Sequence, residues 1–173
     1  MLDASCVSTS FRAGAFMATL EIMADYFQVY LCDPAHKEEW SALWTDQTVD
    51  NRIVALPHTV VFGTGRNMPV LVDVVLHKQQ PDLTALIASA DHAVVSNLVC
   101  CSGKLKVAGC TDYLPDAFTL STSPGPYGVA FLSFDLSTID SLCGLEGDDC
   151  YALHVWPAAA LPETAVLKRW SAL

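Results

Sequence analysis

Three carboxylates fall within four positions of the stretch LEGDDCYALHVWPAA, which covers residues 145 to 159. Glu146, Asp148 and Asp149 precede an apolar run that ends at Trp156 and Pro157. Carboxylates at this density suit three kinds of chemistry: ligation of a metal ion, general acid–base catalysis, or presentation of negative charge to a basic partner. The residues around them decide among the three.

The charge pattern favours a basic partner. The formal net charge is −10, and the 61 residues between Lys106 and Lys168 contain neither Lys nor Arg. Recognition of nucleic acid begins with Lys and Arg on phosphates, so this part of the chain would repel it. A basic protein or a cation would be attracted instead. The acidic residues of this base-free run are Asp112, Asp116, Asp135, Asp140, Glu146, Asp148, Asp149 and Glu163.

Six of these residues lie in sequences typical of turns and are therefore expected at the surface. The candidate partner-binding residues are Asp112, Asp116, Asp140, Glu146, Asp148 and Asp149. Substitutions in exposed loops usually change stability by less than about 0.5 kcal/mol. Lysine at both Asp148 and Asp149 is thus predicted to leave thermal stability nearly unchanged.

Metal ligation has weaker support in the spacing of the residues. Oxygen-rich loops at one end of a β-sandwich can cage calcium, which stays open as an alternative, although no Asp-x-Asp-x-Asp-Gly loop is present. Candidate zinc ligands are Cys143, Cys150 and His154, with His92 beside Asp91, but neither Cys-x-x-Cys nor His-x-x-x-His occurs. No metal site and no cofactor are predicted.

Catalytic motifs are also missing from the sequence. The stretch FGTGRNMP lacks the Gly-Lys-Ser/Thr ending of a phosphate loop, so a hairpin turn is the prediction there. Cys110 and Asp112 with His92 or His154 could be imagined as a nucleophile with its base. No Gly-x-Ser-x-Gly elbow or glycine-rich oxyanion loop accompanies them. The protein is predicted not to be an enzyme.

The elements that position these residues are mainly β-strands. About eight short apolar or alternating segments are separated by turn sequences, which predicts a single antiparallel β-sandwich with one or two short helical insertions. CCSGKL is predicted to be a hairpin with Ser102 and Gly103 as its turn, and PDLTALIASAD a short helix. Strand alternation predicts a core that includes Tyr26, Val29, Val72, Val74, Val94, Val107, Val129, Phe131, Tyr151, Leu153 and Val155.

Domain organisation is predicted to be simple. Residues 1–16 are Ser- and Ala-rich and suggest a loose amino-terminal extension, and residues 17–173 form a single β-sandwich domain. The segment PAHKEEWSALWTDQ forms a short helix or a structured loop, in which Trp40 and Trp44 either cap the sheet or anchor a partner. No transmembrane segment is predicted. Seven cysteines without the spacing of a disulfide framework favour reduced thiols and a cytoplasmic location.

Two blocks of sequence carry a family resemblance. ADYFQVYLCD, together with YGVAFLSFDL and DDCYALHVWPA, resembles the framework of the bacterial competence nuclease-inhibitor family (competence protein J-like). The studied members of that family neutralise a DNA-processing nuclease. The resemblance implies a β-rich inhibitor whose partner is a nuclease, and it carries no inhibitory residues over to this chain.

Charge and resemblance together predict an acidic protein-binding module, an inhibitor or immunity-type protein that blocks a basic nuclease or toxin. Nucleic acid and membrane are not predicted as partners, and the sequence indicates no particular oligomeric state. Two alternatives stay open. One is a calcium- or small-ligand-binding β-sandwich, and the other is a structural or assembly domain without catalytic activity whose acidity keeps it soluble.

Overall fold

Two β-sheets pack face to face in the computed structural model, which describes residues 6–12 and 15–171. The seven-stranded sheet has the order β1-β2-β6-β11-β10-β7-β12. Its strands are β1 (Cys6–Arg12), β2 (Ala15–Met23), β6 (Pro69–Leu76), β7 (His92–Cys100), β10 (Gly125–Phe134), β11 (Cys150–Pro157) and β12 (Ala165–Lys168). The five-stranded sheet has the order β4-β5-β3-β8-β9. Its strands are β3 (Gln28–Cys32), β4 (Ile53–Ala55), β5 (Thr59–Gly63), β8 (Lys104–Gly109) and β9 (Phe118–Ser121).

The predicted β-sandwich is confirmed, with one difference in strand direction. Every pair of neighbouring strands is antiparallel except β6 and β11, which run parallel at the centre of the larger sheet. Parallel neighbours need a long connection, and here the chain passes through β7, through β8 and β9 of the other sheet, and through β10 before it returns. In the described part of the chain no helix has the length and apolar character needed to cross a membrane.

Strand alternation produces the core between the sheets. Along β6, Val70, Val72 and Val74 are buried while Leu71 is exposed, the period of two that one packed face requires. All the residues predicted for the core are buried with the exception of Tyr26. The prediction for Tyr26 is wrong because β3 begins only at Gln28, so Tyr26 lies in the preceding connection and not in a strand.

Both outer faces are partly covered. The short helix predicted after Pro81 is confirmed as α2 (Leu83–Ala88), whose Leu86 and Ile87 pack on the outside of the seven-stranded sheet. Across the five-stranded sheet, Trp40 and Trp44 pack half-buried against Tyr30 and its neighbours. The two tryptophans therefore cap this sheet. The chain then continues into α1 (Asp46–Asn51), which begins at a capping box formed by Thr45 and Thr48.

Two predicted hairpins are wrong for the same reason. The FGTGRNMP turn joins β5 to β6 and the Ser102–Gly103 turn joins β7 to β8, and in both cases the two strands belong to different sheets. Short turns between apolar strands are compatible with either connection, so local sequence does not distinguish a hairpin from a crossing between sheets. In the Ser102–Gly103 turn, the backbone N–H groups of Cys101 and Ser102 donate to the buried Asp33 carboxylate and not to a neighbouring strand.

The predicted loose extension over residues 1–16 is wrong where the structure describes it. Residues 6–12 form β1, which pairs antiparallel with β2 at the edge of the larger sheet, and Ala15 begins β2. Residues 1–5, 13 and 14 lie outside the described residues. The side chains of this Ser-rich segment do not alternate clearly, but its backbone N–H and C=O groups pair with β2 and hold it in the sheet.

Candidate protein-binding site

Four connections emerge at the same end of the sandwich, which we call the loop end. They are residues 24–27 between β2 and β3, residues 64–68 between β5 and β6, residues 110–117 between β8 and β9, and residues 135–149 between β10 and β11. Strand register places them together, because Met23 pairs with Pro69 and Gln28 pairs with Gly63. Residues 135–149 are called the acidic loop below.

All six predicted partner-binding residues lie in loops at this end, but only three present an unengaged carboxylate at the surface. Asp116, Glu146 and Asp148 are exposed, and the described residues give their side chains no hydrogen bond. Asp112 is exposed but accepts the Gly109 N–H at 2.7 Å. The half-buried Asp140 accepts the Leu142 N–H at 2.9 Å, and hydrogen bonds from Cys143 and Leu142 lower its pKa.

Asp149 differs from the other five because it is 3% exposed. Its Oδ1 accepts a hydrogen bond from Arg66 Nε in an ion pair, and its Oδ2 accepts the hydroxyl of Tyr151. The same hydroxyl accepts the Gly65 N–H at 2.7 Å. Burial and the hydrogen bond to Asp149 raise the pKa of Tyr151, so the phenol stays protonated and donates. Asp149 therefore holds the acidic loop onto residues 64–68 and is not available at the surface.

The loops of this end form a continuous series of contacts. Arg66 also donates to the Leu145 carbonyl at 3.1 Å, and the Thr64 N–H donates to the Phe27 carbonyl at 2.9 Å. Thr111 donates to the Asp25 carboxylate. Residues 64–68 and 24–27 consequently lie between the acidic loop on one side and residues 110–117 on the other.

The most unusual feature of the loop end is a pair of exposed aromatic residues in the left-handed conformation. Tyr26 has φ 57° and is 69% exposed, and Phe27 has φ 59° and is 49% exposed. A left-handed backbone costs a residue other than glycine about 1 to 2 kcal/mol. Two consecutive strained residues that hold large apolar side chains in solvent indicate a functional surface.

Beside these aromatics lies a recess of about 880 Å³. Tyr26, Phe27 and Gln28 line one side, and α1 and the chain after β12 line the other. Two buried donors of the lining residues, Arg52 Nη1 and Trp44 Nε1, have no acceptor among the described residues. Buried polar groups are nearly always hydrogen-bonded, so these two unpaired donors distinguish this part of the recess lining.

Arg52 is held in this recess by the backbone and by an aromatic ring. It ends α1 in the left-handed conformation, with φ 57°, and its guanidinium lies 5.3 Å from the ring centre of Trp170. Gly63 allows the close approach, because a Cβ there would lie 3.1 Å from the Arg52 Cα. Arg169, next to Trp170, donates to the Asp50 carbonyl at 2.9 Å and so fixes the segment after β12 against α1.

In the described residues the acidic side chains of the loop end do not converge on one point. Among the residues whose side chains the structure describes, only one place brings three His, Cys, Asp or Glu ligand atoms within 4.8 Å of one another, and it lies elsewhere. The zinc ligands considered from the sequence are dispersed as well. Cys143 lies in the acidic loop with its thiol on Asp140, whereas His154 lies in β11 and contacts His77 at 2.8 Å.

The sequence analysis did not mark Tyr26, Phe27 and Arg52 as candidate site residues. Tyr26 and Phe27 belong to the aromatic run ADYFQVY, which has the composition of a strand, and nothing local shows that two of its members leave the extended conformation. Arg52 lies at the carboxyl end of a short helix, where glycine is the usual residue because the backbone is left-handed. An arginine at such a position is the only sequence signal that could have identified it.

Two solved structures have an arrangement of strands similar to that of this protein. No family model matches the sequence, and no curated protein matches it. Among solved structures, the fold is similar to the crystal structure of ComJ from Bacillus subtilis, an inhibitor of the DNA-degrading activity of NucA. The TM-score is 0.63 and the identity 12%, over 90% of this chain and 100% of ComJ. It is also similar to the protein described as crocagin biosynthetic gene J, with a TM-score of 0.54 and 16% identity over 83% of this chain and 97% of that one. The resemblance to the competence nuclease-inhibitor family is thus confirmed as a resemblance of fold.

Proposed function

We propose that this protein is a protein-binding module that inhibits a nuclease, and that its loop end is the surface that contacts the partner. The observation that carries the proposal is the strained, exposed pair Tyr26 and Phe27 between two acidic loops. Aromatic side chains are enriched among the residues that dominate binding energy at interfaces. The fold shared with an inhibitor of a DNA-degrading enzyme supports a nuclease as the partner.

The acidic residues at the loop end predict that the partner carries positive charge. Asp116, Glu146 and Asp148 carry unengaged carboxylates around the aromatic pair. A nuclease holds phosphates in a basic cleft, so a negatively charged rim is complementary to that cleft. Rim charges of this kind accelerate association over a range set by the Debye length, about 10 Å at 0.1 M salt. The proposed partner is therefore a basic nuclease.

Replacing Tyr26 and Phe27 together by glycine is expected to abolish inhibition and leave the fold intact. Glycine relieves the left-handed strain of about 1 to 2 kcal/mol per residue, and its greater freedom in the unfolded chain costs roughly 0.5 to 1 kcal/mol. The free energy of unfolding should accordingly stay constant or rise slightly. Chemical denaturation and a titration of nuclease activity on DNA, run on the same preparation, measure the two effects.

Reversing the charge of Glu146 and Asp148 to lysine is expected to slow association with the nuclease, with a smaller effect at high salt. Both side chains are exposed, so stability should change by less than about 0.5 kcal/mol. The matched control is lysine at Glu39 and Glu163, which are exposed acidic residues away from the loop end. Association rates that are equal for the two double variants would contradict a role for the acidic rim.

The partner itself is sought with the immobilised protein and an extract of the source cell. A captured nuclease is then purified, and its DNA-degrading activity is measured while this protein is added. Inhibition that saturates at a fixed ratio supports the proposal. If no nuclease activity of the extract decreases, or if the glycine variant inhibits as well as the parent, the proposed function is wrong.

The recess beside Tyr26 and Phe27 favours a second candidate function, the binding of a small anionic ligand. A volume of about 880 Å³ lies within the range of small-molecule sites, and the unpaired donors of Arg52 and Trp44 suit an anionic ligand. Isothermal titration with small phosphates and carboxylates tests this alternative directly. Binding that disappears in Arg52→Met and survives in the Tyr26 and Phe27 glycine variant would establish it separately from inhibition.

A further inference from the structure

Three potential metal ligands meet at the end of the sandwich opposite the loop end. They are His36, which follows β3, His58, which lies in the turn between β4 and β5, and Cys101, which follows β7. One ligand atom from each lies within 4.8 Å of the other two. Ligands of a tetrahedral zinc ion are separated by about 3.3 to 3.8 Å, as its bond lengths of about 2.0 to 2.3 Å require. The three ligand atoms are therefore close to coordination distance, and reorientation of the side chains would bring them into it.

His58 is already in the tautomer that a metal needs. Its Nδ1 lies 2.8 Å from the Val99 carbonyl oxygen, which only accepts hydrogen bonds, so Nδ1 carries the proton. The lone pair is then on Nε2 and is available to a metal. Donation from the second ring nitrogen to a backbone carbonyl is the usual way in which proteins orient a histidine ligand.

The other two ligands are positioned by independent contacts. The imidazole rings of His36 and His58 stack with centroids 3.6 Å apart and planes 8° apart. Metal binding would open this stack until both lone pairs converge on the ion. Cys101 is exposed, and its backbone N–H donates to the buried Asp33 carboxylate, to which Ala35 N–H also donates at 2.9 Å. One carboxylate thus fixes the segments that carry His36 and Cys101.

The charge around this group of residues suits a cation. Asp33 has no exposed surface and accepts backbone N–H groups of the segments that carry His36 and Cys101, and Glu38 accepts the backbone N–H of His58 at 3.0 Å. Two imidazoles and one thiolate are the ligand types that zinc prefers, whereas calcium and magnesium prefer oxygen. In the described residues no fourth side-chain ligand lies within the same distance, which leaves the fourth position to water.

We propose that His36, His58 and Cys101 form a zinc-binding site. The site clamps the turn between β4 and β5 to the crossing from β7 to β8 and to the segment after β3. It is independent of the proposed nuclease-binding surface, because the two lie at opposite ends of the sandwich. Spacing in the sequence does not show it, since the ligands come from three separate loops.

The test uses the full chain without a histidine tag, stripped with chelator and kept reduced by a phosphine. Titration with Co²⁺ is expected to give the thiolate-to-cobalt charge-transfer absorption and the visible bands of tetrahedral cobalt, saturating at one ion per chain and displaced by Zn²⁺. Cys101→Ser should remove the charge-transfer band. Loss of a single histidine, in His36→Ala or His58→Ala, should lower affinity at least about 10-fold.

Cys143→Ser is the matched control, because Cys143 is also exposed but lies in the acidic loop. A zinc-dependent rise in melting temperature should occur in the parent and in Cys143→Ser, and be absent in Cys101→Ser. The absence of a charge-transfer band in the parent, or a band that survives Cys101→Ser, would overturn the proposal. Neither outcome bears on inhibition of a nuclease, which is measured separately.

Discussion

Replacing Asp149 by alanine is expected to lower the free energy of unfolding by about 3 to 5 kcal/mol. The carboxylate has no exposed surface, and it pairs with Arg66 and accepts the Tyr151 hydroxyl. Removing one partner of a buried pair leaves the other charge uncompensated, and this loss accounts for the size of the effect. The chain offers its own control, because the neighbouring Asp148 is exposed and its replacement by alanine should change stability by less than about 0.5 kcal/mol.

Urea denaturation of the two variants measures the difference between adjacent aspartates. A double-mutant cycle with Asp149→Asn and Arg66→Met then isolates the energy of the pair from the loss of other contacts. Equal stability of Asp149→Ala and Asp148→Ala would refute the assignment of a buried ion pair. The sequence-based expectation that lysine is tolerated at both positions is replaced by tolerance at Asp148 alone.

Acidification from pH 7 to pH 4 is expected to remove about 3 kcal/mol of stability for each of two buried histidines. Burial lowers the pKa of His92 from 6.5 to about 4, helped by the positive charges of Arg52 and Arg169 and opposed by a hydrogen bond with Asn51. Burial and the adjacent His77 also lower the pKa of His154 to about 4, opposed by the negative charge of Asp73. Between these values the unfolded chain binds more protons than the folded protein, so stability falls with decreasing pH.

The structure explains why both histidines stay neutral. His92 accepts the backbone N–H of Trp170 at Nδ1, at 3.3 Å, and donates from Nε2 to the Asn51 carbonyl at 3.2 Å. Protonation of Nδ1 would break the first of these bonds. His154 lies in β11 and shares a single proton with His77 across a contact of 2.8 Å.

Denaturation in urea at several pH values between 7 and 4 checks this dependence. The slope should approach about 1.4 kcal/mol per pH unit for each histidine within the window. His92→Gln and His154→Gln should each flatten the curve, because an amide does not titrate. A stability that stays constant from pH 6.5 to pH 4.5 in the parent would show that neither histidine is protected from protons by the fold.

The proposed inhibitor surface relates these stability effects to function. Asp149 and Arg66 fix the acidic loop against residues 64–68, and these residues in turn contact the backbone of Phe27. The conformation of the segment that carries Tyr26 and Phe27 therefore depends on the buried ion pair between Arg66 and Asp149. Loss of inhibition in Asp149→Ala would reflect a displaced loop, whereas loss of inhibition in the glycine variant would reflect the missing aromatic rings.

Local sequence pattern was sufficient to predict the class of fold and most of the core. Alternation of apolar residues correctly placed Val72 and Val74 in β6, and Leu153 and Val155 in β11, on the buried face. Alternation works because side chains of a strand point to opposite faces with a period of two, a property of the local backbone. The run of acidic residues without bases is equally local, and so is the helix at Leu83–Ala88.

Tertiary structure alone decided which residues form the sites, because each depends on groups that are distant in the sequence. Asp149 is buried since Arg66, 83 positions away, pairs with it, while the adjacent Asp148 has no such partner. Tyr26 leaves the strand conformation where the chain crosses from one sheet to the other, and His36, His58 and Cys101 meet only when three loops pack at one end. Hydrophobic periodicity fixes the face on which a residue lies, but it contains no information about which loops will be neighbours, and both candidate sites lie in loops.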